Sequence, residues 1–63
     1  MKQEIYNPDG SLRAVIYDIG SGGRQEVHSA SGQLLGVYIP EMDETFDSSG
    51  SRVGRGNLLM TLV

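Results

Sequence analysis

The sequence predicts an all-β fold: a compact, pseudo-symmetric domain of three successive β-hairpins closed by glycine-ended type I turns. Three observations predict it. One turn signature recurs, since Asn7-Pro8-Asp9-Gly10, Ser29-Ala30-Ser31-Gly32 and Asp47-Ser48-Ser49-Gly50 each begin with Asn, Ser or Asp and finish on Gly. A type I turn that ends in a left-handed residue closes a hairpin with a G1 bulge. The residues ahead of each turn also agree: Lys2-Gln3-Glu4-Ile5-Tyr6, Arg24-Gln25-Glu26-Val27-His28 and Met42-Asp43-Glu44-Thr45-Phe46 all carry Glu third and a ring residue last. Behind the turns, Ala14, Gly36 and Gly54 place a small residue at one shared offset. Agreement at several aligned positions argues for an internal repeat, with units at approximately 2–17, 24–39 and 42–56 and an apolar segment at 57–63.

In the first hairpin the alternation puts Gln3 and Ile5 on one face and Glu4 and Tyr6 on the other. Pro8 sits where its fixed φ preorganises the bend. Simple alternation on the return strand groups Leu12, Ala14 and Ile16 against Arg13, Val15 and Tyr17. Asp18-Ile19-Gly20-Ser21-Gly22-Gly23 then breaks the pattern as a flexible connection. The second hairpin has the most apolar return strand, with Leu34, Gly36 and Tyr38 expected on one face and Leu35, Val37 and Ile39 on the other. A strand apolar on both sides should be buried on both, and in so short a chain the second cover would come from another subunit. Pro40 ends it. The third return strand, Ser51 to Gly56, is polar and glycine-rich, which reads as a short or edge element. The final residues, Asn57 to Val63, read either as a strand or as a helical turn capped by Asn57 that groups Leu58, Leu59 and Leu62. In either form this segment should close the core or dock on a neighbouring chain.

With 63 residues, the core must be thin, because a chain of this size buries only about 60% of the surface it exposes when unfolded. There is no cysteine and only one histidine, so neither a disulfide nor a Cys/His zinc framework can brace the fold. Oligomerisation remains, and a homo-oligomer or a protein partner is expected. The formal charge of −3 arises from 5 basic and 8 acidic residues, scattered without a basic stripe, which argues against nucleic acid. No apolar run approaches the roughly 20 residues of a membrane helix, and the first residues lack a signal-peptide core. The sequence therefore reads as cytoplasmic, with no membrane insertion.

Several stretches hint at chemistry, and each has a plainer account. Gly20-Ser21-Gly22-Gly23-Arg24 looks superficially like a phosphate cradle, but a strand and not a helix follows it. Asp47-Ser48-Ser49-Gly50 is similar to the Asp-Ser/Thr-Gly signature of aspartic peptidases, which need two carboxylates sharing a proton; Asn7 and Ser29 occupy the same turn position, so the turn explains Asp47. His28 could serve as a base or metal ligand, yet Tyr6 and Phe46 align with it. Glu41, Asp43, Glu44 and Asp47 form an acidic cluster whose spacing departs from the EF-hand pattern. No catalytic residue, cofactor or metal site is expected. The repeated Glu4, Glu26 and Glu44, lying beside Tyr6, His28 and Phe46, are the most suggestive polar positions. With Tyr17 and Tyr38 they form the candidate ligand or interface set, although cross-strand pairing with Lys2, Arg13 or Arg24 would account for the carboxylates too.

Tyr6-Asn7-Pro8-Asp9-Gly10-Ser11-Leu12 resembles the Tyr-Asp-x-x-Gly-x-Leu core of YD repeats from RHS-type toxin shells. The whole chain, with Gly-Gln-Leu-Leu-Gly-Val-Tyr at 32–38 and Gly54-Arg55-Gly56-Asn57-Leu58-Leu59 near its end, is more similar to the small bacterial 4-fold beta flower proteins. That resemblance implies a compact pseudo-symmetric β fold and supplies no activity or catalytic residues; three repeats are visible here, and a fourth would fall at Gly54 to Val63 or Tyr17 to Gly23. The expected function is a non-catalytic structural or interaction module that self-associates or docks on a larger partner. The alternative is a carbohydrate- or peptide-binding module, and a hydrolase is the weakest reading, because one His and no Cys do not assemble a nucleophile, base and orienter.

Overall fold

Gly10, Gly32 and Gly50 hold φ of 91°, 91° and 89°, a left-handed conformation that a side chain would strain. Around them the same pair of main-chain hydrogen bonds recurs. The Gly N–H donates to Asn7, Ser29 or Asp47 at 2.9, 2.9 and 3.0 Å, and those residues' own N–H groups donate to Ser11, Gln33 and Ser51, each at 2.8 Å. The computed structural model describes residues 2–20 and 22–63. In it the turns link β1 (Lys2–Tyr6) to β2 (Leu12–Ile19), β3 (Arg24–Ser29) to β4 (Leu34–Ile39), and β5 (Glu44–Asp47) to β6 (Arg52–Arg55). The six strands lie in chain order in one open antiparallel sheet, with β1 and β6 at its edges. The protein is thus all-β, as its sequence indicates. The hairpins stand side by side instead of closing around a centre, and β2 runs on to Ile19 through residues that read as a connection.

Each hairpin contains a register shift next to its turn, at Ile5/Tyr6, Val27/His28 and Thr45/Phe46. The extra residue corrects the simple alternation. Ile5 pairs with Ala14 while Tyr6 pairs with Leu12, so Leu12 joins Val15 and Tyr17 and leaves Ala14 and Ile16. Likewise Val27 pairs with Gly36 and His28 with Leu34. Leu34 therefore shares a face with Val37 and Ile39, and Leu35 moves to the side of Gly36 and Tyr38. One inserted residue reverses the phase of everything beyond it.

The packed face carries Ile5, Ala14, Ile16, Val27, Gly36, Tyr38, Thr45 and Gly54, and the end of the chain covers it. Gly56, at φ 85°, turns the chain off the edge of β6. Leu59–Leu62 then forms a 3-10 turn, the helical of the two expected forms, and the Asn57 side chain accepts the Leu59 N–H at 3.2 Å. Leu59 is fully buried against Ala14, Ile16 and Val27, with Ile5, Leu35, Tyr38, Leu62 and Val63 around them. Fully buried Thr45 fastens the crossing: its hydroxyl donates to Gly56 O at 2.6 Å and accepts the Leu58 N–H at 2.9 Å. At the far end, Arg13 donates to Val63 O at 2.9 Å.

This crossing also explains the repeated small residue. A Cβ on Gly36 would collide with Leu62 Cδ1 and come within 2.7 Å of Phe46 O, and one on Gly54 would sit 2.7 Å from Leu58 Cδ1. Short side chains at 36 and 54 let the 3-10 segment lie directly on the sheet.

Candidate functional site

Among the described residues no element covers the opposite face of the sheet. Reading across the strands, Lys2, Tyr17, Glu26, Val37, Phe46 and Arg52 stand in one register row. Glu4, Val15, His28 and Leu34 form the row nearer the glycine turns, and Ile19, Arg24, Ile39, Glu44 and Arg55 the row on the other side. Tyr17, Ile19 and Leu34 remain 37%, 39% and 38% exposed. Of the β4 strand, expected to be buried on both sides, only Gly36 is buried; on the open side Leu34 is exposed and Val37 and Ile39 are half-buried, with no further element over them among the described residues. The physical reason is supply: among the described residues the terminal segment is the one element outside the sheet, and it lies on the packed face.

The open face carries Glu4, Tyr6, Tyr17, Glu26, His28, Glu44 and Phe46, and of these the structure brings Glu4, Tyr17, Glu26 and His28 together around one cleft. A cleft of about 480 Å³ opens beside β1, β2 and β3, and its lining includes Lys2, Glu4, Leu12, Val15, Tyr17, Ile19, Glu26 and His28. Its rings and carboxylates are held by contacts within the chain. His28 Nε2 lies 3.2 Å from Glu26 Oε1 and its Nδ1 lies 3.4 Å from Gly32 O. The Tyr17 ring meets His28 edge to face, with centroids 5.1 Å apart at 88°, an arrangement favoured by the ring quadrupoles. Tyr6 donates its hydroxyl to Glu4 at 3.0 Å; this bond, and then the charge of Glu4, hold the phenol above its ordinary 10.0. Glu44 instead takes Arg52 at 3.0 Å.

Tyr38 does not belong to this set. Its pairing with Thr45 places it on the packed face, where its hydroxyl donates to Asp43 at 2.9 Å; that bond, ahead of desolvation, raises its pKa above 10.0. Conversely, simple alternation missed Leu12 and Leu34 on the open face. Their positions follow from the bulge that the turn signature itself implies.

The remaining chemical hints resolve into turn structure. The Asp47 carboxylate accepts the Ser49 hydroxyl at 2.6 Å and the main-chain N–H groups of Ser49 and Ser51, each at 3.0 Å. The Ser49 hydroxyl, and then the Ser51 amide, hold it below the usual 3.8. Asp9 repeats the arrangement with the Ser11 hydroxyl at 2.6 Å and the Ser11 N–H at 2.9 Å, again with a lowered pKa. A carboxylate occupied in this way orders a turn. Asp43, Glu44 and Asp47 of the acidic cluster serve separate partners, and among the described residues no three His, Cys, Asp or Glu side chains converge on a cation site. Of the glycine-rich stretch at 20–24, Ser21 lies outside the described residues, and Arg24 opens a strand. Among the described residues no helix is long and apolar enough to cross a membrane.

No family model, curated protein or solved structure matches the chain.

Proposed function

We propose that this chain is a non-catalytic interaction module that works by docking its open sheet face against protein, either a copy of itself or a larger partner. A single observation carries the reading: exposed Tyr17, Ile19 and Leu34 and half-buried Val37, Ile39 and Phe46 share one face of the sheet, and among the described residues no further element lies over them. A contiguous apolar sheet face left to water is the usual mark of a recognition surface. The repeat reading and the resemblance to 4-fold beta flower proteins agree with a structural role. Sedimentation at micromolar concentration tests self-association. A mass above 6.8 kDa is expected; a monomer there, with no partner retained by the intact face and lost on Phe46→Lys, would sink the reading.

A second reading, binding of a carbohydrate or peptide, is favoured by one specific observation: the cleft of about 480 Å³ beside Tyr17 and His28, within the size range of small-ligand sites. Rings for stacking and carboxylates for hydroxyl groups are both at hand. Titration of the tyrosine fluorescence with simple sugars and short peptides checks it. A saturable change that Tyr17→Ala removes supports the reading, and a flat response up to millimolar ligand removes it.

A further inference from the structure

Resting on the small-ligand reading above, we infer that the cleft beside β1, β2 and β3 takes an uncharged pyranose sugar, whose ring lies over Tyr17 and Val15 while its hydroxyl groups bond to Glu4, Glu26 and Lys2.

The strand register sets out the site. Lys2, Tyr17 and Glu26 stand abreast on the three strands, and Glu4, Val15 and His28 stand abreast in the next row. The middle of the cleft is therefore an aromatic ring beside a buried aliphatic group, and both of its sides are polar. The two carboxylates lie on one diagonal, Glu4 on β1 and Glu26 on β3, and the Lys2 ammonium lies on the other. An anion entering here meets two carboxylates, and a cation meets Lys2. A hydroxyl group suits either neighbour, because it donates to a carboxylate and accepts from an ammonium. A neutral ring with C–H groups on its faces and hydroxyl groups around its rim matches both the apolar middle and the mixed sides.

The lining is ordered before any ligand arrives. His28 Nε2 lies 3.2 Å from Glu26 Oε1, and the His28 ring meets Tyr17 edge to face with centroids 5.1 Å apart. Glu4 accepts the Tyr6 hydroxyl at 3.0 Å. A carboxylate that accepts one such bond keeps lone pairs for further donors, so a sugar hydroxyl can be added without breaking either contact. Tyr17 is still 37% exposed, which leaves part of its ring open to a ligand. An ordered but open cleft with one such ring binds weakly, and a dissociation constant on the order of 1 mM is expected.

Protein-observed NMR with probes that share one ring and differ in charge tests the inference: methyl β-glucopyranoside, cationic glucosamine and anionic glucuronate, with glycyltyrosine as a zwitterionic peptide. The neutral glucoside should shift the amides of Val15, Tyr17, Glu26 and His28 saturably, and its affinity should not change with salt. Tyr17→Leu keeps bulk but removes the flat ring, and should bind at least about tenfold more weakly. If that variant loses the dispersed β spectrum, Glu4→Ala with Glu26→Ala gives the same comparison from the polar sides of the cleft. Met60→Lys, on the exposed side of the terminal segment, should bind as the wild type does. A charged sugar or the dipeptide binding more tightly than the glucoside overturns the inference and leaves the small-ligand reading standing. Glucoside shifts that the cleft variants leave unchanged overturn it too. No saturable shift from any probe at tens of millimolar removes both.

Discussion

Asp47 shows how a single side chain can look catalytic and be structural, and Asp9 shares its role in a turn. Each carboxylate sits at or within a turn and gathers the donors that the tight bend would otherwise leave to water. Because folding lowers both pKa values below 3.8, each carboxylate contributes stability that is complete above the unfolded value and is lost as pH falls through the folded one. The unfolding midpoint in urea should therefore drop as the pH is taken below 3.8, and Asp47→Asn should make that acid limb shallower. Both groups lie at the surface, so the slope is expected to be modest and to weaken with salt. The tyrosines act at the other end of the scale. With Tyr6 and Tyr38 raised above 10.0, their donated hydrogen bonds persist below the unfolded value and are lost as pH rises through the folded one. Tyr6→Phe should remove part of the alkaline limb, and an alkaline unfolding curve identical to wild type would show that the Glu4 bond contributes nothing.

At the scale of elements, stability rests on how the 3-10 segment seats against the sheet. Leu59→Ala empties a fully buried site and should cost about 2–5 kcal/mol, a large part of what a small domain possesses. Met60→Ala, one residue on and 56% exposed, should cost almost nothing; comparable losses in urea denaturation would mean that the segment does not dock as described. Gly36→Ala and Gly54→Ala separate rigid from yielding neighbours. The added methyl at 36 meets main-chain Phe46 O as well as Leu62, whereas at 54 it meets only the flexible tip of Leu58. The first should cost about 1–3 kcal/mol and the second less. The hairpins themselves were legible because Asn7, Ser29 and Asp47 stand at a fixed distance from Gly10, Gly32 and Gly50, and turn chemistry is local. The faces of Leu12, Leu34 and Leu35 were not, since a strict period of two has no place for the extra residue that a G1 bulge inserts. The repeated Ala14, Gly36 and Gly54 could be read as a pattern but not as a cause: Gly36 and Gly54 make room for Leu62 and Leu58, and Ala14 packs in one cluster with Leu59, all far along the chain. Glu4 and Glu26 could likewise be placed beside their rings from spacing alone, but the cleft between them depends on how β1, β2 and β3 pair. Tyr38 was misplaced for a related reason: it shares a residue type with Tyr17 and the opposite phase.

For the whole molecule, the economy of cover leads to a thermodynamic consequence. Six strands expose two sheet faces, and among the described residues a single segment outside the sheet covers one of them. If the second face is covered by association, the folded state is stabilised by whatever binds it, since the unfolded chain presents no such surface. That contribution grows with the logarithm of concentration and reaches about 2.7 kcal/mol when the free partner is at a hundred times its dissociation constant. In a domain of 63 residues, where 1 kcal/mol shifts the midpoint by about 4–8 °C, the effect is large enough to measure directly. Thermal unfolding followed from about 1 µM to about 100 µM should therefore show Tm rising with concentration by several degrees, and Phe46→Lys, which puts a charge into the centre of the open face, should abolish the rise without lowering Tm at the dilute end. A Tm that stayed constant over that range would mean that the packed face alone sustains the fold, and that Tyr17, Ile19 and Leu34 are exposed in the working state of the protein.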